Sequence, residues 1–315
     1  MRLDDIGQSE NVEDRRGGVD EYSGSGGGRS GGGRSGGGMS FGGGGGRLGI
    51  GGMVILGLIG WATGINPMLL ISGAEMVQGL RGGGQTYQQQ MPAPRARTAS
   101  TNDEMGIFVS KVLRVNEDVW SKVLPAQANI NYVKPRLVLF SNVTRSACGE
   151  ADSATGPFYC PSDSKVYLDT SFFDEMTRRF GGGGKFADAY VISHEIGHHV
   201  ENLLGILPKV NAQQRRVDQR TANALSVRVE LMADCLAGVW AYESRAQLGI
   251  DESDIKQAMT TASAIGDDRL QQQSRGRVVP DSFTHGSSQQ RMRWFTTGWT
   301  TGSINQCNTF QASQL

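Results

Sequence analysis

From residue 101 to 124 (TNDEMGIFVSKVLRVNEDVWSKVL) the apolar side chains recur at helical spacing. Phe108, Val112, Val115 and Val119 share one face, and Asn102 or Asp103 stands where an N-terminal cap belongs. The period then changes. RLVLFSNV, after Pro135, is a short apolar run of the kind that forms a strand, and KVYLDTSFF alternates Val166 and Leu168 with Tyr167 and Asp169, which predicts a half-exposed strand. Two longer helical patterns follow. KFADAYVISHEIGHHVENLLG ends at Gly205 with Pro208 beyond it, and TANALSVRVELMADCLAGVWAYESRAQLG ends at Gly249. One helix, then strands, then further helices predicts an α+β domain over 102–315.

Upstream the patterning disappears. Glycine, 45 in the chain, crowds the stretch 23–46 with Ser and Arg, and too few apolar side chains stand there to offset the entropy of ordering, so 1–47 is expected to be a disordered tail. Residues 48–71 carry no charge and hold Val54, Ile55, Leu56, Leu58, Ile59, Trp61 and Ile65; this length predicts one transmembrane signal-anchor helix, with a cleaved signal peptide or a buried helix as competitors. Arg29, Arg34 and Arg47 precede it, so the positive-inside rule puts the N-terminus in the cytoplasm and the later domain outside a cell membrane spanned once. Residues 72–101, rich in Gln, Pro and Gly, read as a linker. The 31 basic and 31 acidic residues balance, which excludes a nucleic-acid partner held by excess positive charge.

The chain has only four histidines, and two of them fall in His194-Glu195-Ile196-Gly197-His198. Helical residues four apart differ by about 40° in direction, so both imidazoles can serve one metal ion while Glu195, on the adjoining face, acts as general base toward a metal-activated water. A catalytic zinc wants a third protein ligand and an open position. Glu230 and Asp234, four apart on an otherwise apolar helix, would be costly to bury without a counter-charge, so Glu230 is expected as third ligand and Asp234 as acceptor for the His194 N–H. Glu201 and Cys235 are the alternative ligands, and His199 is rotated away from the pair.

HEIGHHVENLLGI, ELMADCLAGVWA, THGSSQQRMRWFTTG and the N-terminal SENVEDRRG resemble the bacterial neutral zinc metallopeptidase family, and the H-E-x-x-H with a later E-x-x-A-D is similar to gluzincins of the HtpX and CAAX-protease type. The resemblance implies a zincin-like fold, Zn2+ as cofactor, a protein or peptide substrate, and endopeptidase chemistry. It agrees with Glu230 as ligand and Asp234 as support. By the same resemblance His285 would donate a hydrogen bond to the oxyanion, with Arg291 nearby as structural, electrostatic or substrate-side support. The alternative function is a zinc-bearing scaffold or chaperone-like binding protein of the cell envelope that cuts nothing; Glu195 argues against it, because a structural site needs no base.

Zincins resemble one another in pairing substrate with an edge strand beside the metal, which nominates KVYLD with Tyr167, and Tyr159, for substrate contact. Four cysteines in a domain outside the cell suggest two bridges. Cys148 and Cys160 enclose a turn-rich loop, leaving Cys235 and Cys307 as the second pair; this is one of three possible pairings.

Overall fold

A computed structural model of the chain describes residues 1–16, 102–152, 155–180 and 183–315. Strand β1 (Val12–Asp14) is followed by helix α1 (Glu104–Ala128), whose first turn is capped by the Asp103 carboxylate accepting from Gly106 N at 2.8 Å. Then come β2 (Arg136–Phe140), the hairpin β3 (Val143–Ser146) and β4 (Gly149–Asp152), β5 (Phe158–Cys160) and β6 (Lys165–Asp169). The rest is helical: α2 (Ser171–Phe180), α3 (Lys185–Leu203), α4 (Ile206–Gln214), α5 (Gln219–Leu248), α6 (Glu252–Ala264), α7 (Asp267–Arg275) and α8 (Ser288–Thr301).

The main sheet runs β1-β2-β6-β5, with β1, β2 and β6 parallel and β5 antiparallel at the edge. Alternation sorts its side chains between two cores. Leu137, Leu139, Tyr159, Val166 and Leu168 meet Leu113, Trp120, Ile192, Ile196 and Val200 from α1 and α3. Val138, Phe140, Cys160 and Tyr167 form a smaller cluster with Ala151 of the β3–β4 hairpin. The expectation of a half-exposed strand at 165–169 is therefore corrected. Val166, Tyr167, Leu168 and Asp169 are all buried, because a strand paired on both sides and covered on both faces has no solvated side.

The N-terminus departs further from expectation. Residues 1–16 pack on the domain rather than forming part of a tail. Val12 stands opposite Leu137 in the sheet, Ser9 Oγ and Asn11 Nδ2 donate to the buried Glu117 carboxylate at 2.8 and 2.6 Å, and Lys165 pairs with Glu13 at 3.0 Å. Arg16 bonds Asp14 and also Asp103, the cap of α1, so residue 16 lies beside the start of that helix. The expected remainder of the tail, the anchor at 48–71 and the linker at 72–101 lie outside the described residues.

The fold class and the membrane placement expected from the sequence are corrected on these grounds. The described residues form a mixed helix-and-sheet domain, and no helix among them is long and apolar enough to cross a membrane. A chain crossing a membrane once between residues 16 and 102 would also leave β1 and β2 on opposite sides, which their backbone pairing forbids. The single-pass arrangement, with the N-terminus inside and the later domain outside, is withdrawn.

Both bridges are present, Cys148 with Cys160 and Cys235 with Cys307. The first ties the β3–β4 hairpin to edge strand β5, and the second ties the C-terminal segment to α5.

Candidate metal centre

Helix α3 supplies most of the site, and its placement rests on close approach. A Cβ at Gly197 would stand 3.0 Å from the carbonyl oxygen and 3.1 Å from the Cα of Ala233, so the glycine inside the H-E-x-x-H motif lets α3 lie directly on α5. On the far side, α8 reaches α5 through Gly238 and Gly298, where an added Cβ would overlap the backbone of Phe295 and Cys235 respectively. Ala233 and Gly238 on α5, facing Gly197 and Gly298, form the seam of this three-helix stack.

Across that seam the expected residues converge. His194, His198 and Glu230 bring one ligand atom each to within 4.8 Å of one another. His194 Nε2 is 3.2 Å from Glu230 Oε2 and His198 Nε2 is 3.7 Å from Glu230 Oε1, with the two rings edge-on at 85°. Each imidazole uses its other nitrogen on a buried carboxylate: His194 Nδ1 meets Asp234 Oδ1 at 2.9 Å, and His198 Nδ1 meets Glu201 Oε2 at 2.8 Å. Neutral rings donating from Nδ1 would turn Nε2 lone pairs toward a carboxylate, an arrangement that a cation between them relieves. Two nitrogens and one oxygen suit zinc with a position left for substrate, and among the described residues no fourth protein ligand joins them. The donor set fits the metal.

Asp234 is the hub behind the ligands. It is fully buried and takes Arg291 Nε at 2.8 Å, Arg291 Nη2 at 2.9 Å and the Tyr190 hydroxyl at 2.5 Å, besides His194. Burial would raise its carboxyl, but the Arg291 and His194 charges hold it at about 2. The Arg291 side chain, itself buried, therefore neutralises Asp234 and is removed from any direct contact with substrate. Burial also opposes ionisation of Glu230, yet the charges of His285 and His198 and the bond to His194 keep it well below the usual carboxylate range. Glu195 is buried beside them, and burial raises its carboxyl from its ordinary value.

His285 sits at the open side. Its side chain is half exposed, on a loop whose Gly286 (φ 93°) rests against Val227 and Leu231 of α5, and its charge couples to Glu230. Partial loss of water lowers the imidazole's basicity, but Glu230 and Asp267 outweigh it and push His285 up to about 9. Tyr167 belongs elsewhere. It is buried on the sheet face away from α3, stacked on Phe158, with its hydroxyl donating to Asp163 at 2.7 Å, so it is no substrate contact. Tyr159 does face α3: its hydroxyl bonds His199 Nδ1 and accepts from Asn202 Nδ2, both at 3.1 Å, while His199 Nε2 donates to Val133 O at 2.6 Å. His199 thus ties β5 to α3 and is not a ligand. Cys235, in a disulfide, is not one either.

The sequence reading missed two roles. Glu201 was weighed only as a ligand, although a carboxylate three residues after His198 on one helix face is also spaced to orient that ring. Tyr190, four residues before His194, carries the same kind of signal for reaching the acceptor that His194 uses.

The profile of a family described as "Putative neutral zinc metallopeptidase" matches residues 1–310. The chain is 44% identical over 316 residues to YpfJ of Escherichia coli K12, covering 99% of this chain and 100% of that protein. It is 46% identical over 208 residues to a protein of Mycobacterium tuberculosis H37Rv, covering 62% of this chain and 68% of that one. Both relatives are described as uncharacterized, and no solved structure matches. The matched span takes in β1 at one end and the His285 loop at the other, together with every residue that builds the centre, so the chain belongs to this zinc metallopeptidase family.

Proposed function

We propose that the protein hydrolyses internal peptide bonds, with His194, His198 and Glu230 holding zinc and Glu195 as general base. The observation that carries this reading is the group of three ligand atoms with Glu195 buried beside it and an open flank at His285. Held by these three residues, zinc would supply Lewis acidity toward the reacting water and carbonyl. Glu195 takes the proton of the attacking water and returns it to the leaving nitrogen; its basicity, raised by burial, suits that exchange. His285 donates a hydrogen bond to the carbonyl oxygen as negative charge develops there. Asp234, with Arg291 and Tyr190 behind it, orients His194, and Glu201 orients His198.

Strand β5 rather than Lys165–Asp169 is the sheet edge next to α3, so an extended substrate backbone adds to the sheet there. The scaffold reading is disfavoured by the same donor set, since a purely structural zinc site is closed by a fourth protein ligand. The test is Glu195→Gln in the full-length protein. Metal analysis should find zinc retained, while cleavage of a denatured protein substrate, followed by mass spectrometry of new N-termini, should vanish. Undiminished cleavage by Glu195→Gln would sink the mechanism, and zinc-loaded wild-type protein that cleaves nothing would return the scaffold reading.

A further inference from the structure

The loop that carries His285 is held from behind by one helix. Helix α7 turns two fully buried polar side chains, Asp267 and Gln271, toward it. Gln271 accepts from Val279 N at 2.7 Å and donates to Ser282 Oγ at 3.0 Å. Asp267 goes further: a single oxygen, Oδ2, accepts from three successive backbone amides, Thr284 N at 2.7 Å, His285 N at 2.7 Å and Gly286 N at 3.0 Å. The Asp267 amide returns a bond to Gly286 O at 2.9 Å. Its other oxygen, Oδ1, makes no hydrogen bond among the described residues and faces the imidazole, 3.4 Å from His285 Nδ1, which also lies 3.0 Å from Thr284 Oγ1.

We propose that Asp267 is a positioning residue for the hydrolytic reaction: it clamps the 284–286 backbone against α5 and orients the His285 imidazole from behind, with Nε2 as the ring nitrogen left to act at the cleft. The proposal rests on the peptidase reading above for its catalytic meaning. Three features separate this arrangement from an acid that merely suits the start of a helix. Asp267 is the first residue of α7, and a helix-dipole role would be met by any exposed carboxylate there. Instead the group is buried, its three donors come from a different segment, and the middle one belongs to the only loop histidine in the chain. The loop is also pinned from the front, because a Cβ at Gly286 would stand 3.1 Å from Leu231 Cδ2 and 3.4 Å from Val227 Cγ1. Val227 and Leu231 flank Glu230 on α5, so the two restraints set where His285 stands relative to that ligand.

The experiment uses the full-length zinc-loaded protein carrying Asp267→Asn, His285→Ala, or both. Asn keeps an acceptor for the three amides and removes the charge beside the imidazole. Asp267→Asn should lower kcat by about 10- to 100-fold, the usual size of a misplaced catalytic group, with KM within about twofold and zinc content unchanged. In the His285→Ala background the same substitution should change kcat by less than about twofold, since groups acting as one unit are not additive. A second readout needs no turnover: in 15N-histidine-labelled protein, zinc-free and loaded, the His285 imidazole resonances should move in Asp267→Asn while those of His199 stay. Asp267→Glu, the same charge on a longer arm, covers the case in which the Asn variant does not fold, and should also displace the His285 resonances. An unmoved His285 spectrum, or losses from Asp267→Asn and His285→Ala that multiply independently, overturns the proposal. Absence of hydrolysis by wild-type protein refutes the peptidase reading instead, and the resonances then decide whether Asp267 sets the imidazole.

Discussion

Replacing Arg291 by Met removes the counter-charge behind the metal centre while keeping an apolar stem of similar length. Arg291 and Asp234 are 3% and 0% exposed, so the carboxylate left behind has no water to turn to. The guanidinium gives it bonds of 2.8 and 2.9 Å and adds a contact of 3.2 Å to the Tyr190 hydroxyl. Two charge-assisted bonds at about 1.5–3 kcal/mol each, and the general cost of stripping one partner from a buried ion pair, converge on a loss of about 3–5 kcal/mol in unfolding free energy. That is a large part of the roughly 5–15 kcal/mol by which a domain is stable, so urea denaturation at pH 7 should register it as a clear fall in midpoint with little change in slope. The double variant Asp234→Asn/Arg291→Met removes both charges and should recover about 2 kcal/mol or more of that loss, since uncharged replacements of a buried pair are near neutral. Its zinc affinity should nonetheless stay about 10- to 100-fold below wild type, because His194 has lost a charged acceptor. A loss below about 1 kcal/mol in Arg291→Met, or a double variant less stable than that single one, would refute the reasoning that burial makes this pair dependent on its charge balance.

Glu201→Gln should weaken zinc binding about 10- to 100-fold in a chelator competition, by loosening His198 rather than by losing a ligand, and loss of all binding would mean that Glu201 is itself a ligand. Gly298→Ala should cost about 3 kcal/mol or more in thermal or urea unfolding, since its methyl would overlap backbone of α5 that no rotamer change can clear; a stability within about 0.5 kcal/mol of wild type would contradict the helix spacing described here. Replacing Cys235 and Cys307 together by Ser should cost about 4 kcal/mol, against about 3 for Cys148 and Cys160, because the first bridge closes 72 residues and the second 12. The reverse order in denaturant titrations would argue against a chain-entropy origin.

Much of the centre could be read along one dimension because its parts are one helical turn apart. His194 with His198, and Glu230 with Asp234, fall on common faces by helix geometry alone, and a lone pair of acids on an apolar helix already implies a buried cation opposite. The N-terminal strand could not be read this way. Val12–Asp14 is three residues long with one buried, too short to carry a period, and its partner Leu137 is remote in sequence, so the glycine-rich stretch after it drew residues 1–16 into an expected tail. Tyr167 failed for a related reason: alternation predicts two faces, but whether the second face meets water depends on a hairpin packed over it. The same holds at the open side of the site, where His285 and Asp267 share no helix turn and meet because a loop folds back over α7. Local spacing sets which side chains on one element point together. Which elements meet, which face is covered and which strand lies at the edge are set by burial and hydrogen bonding summed over remote segments, and no local pattern contains that sum.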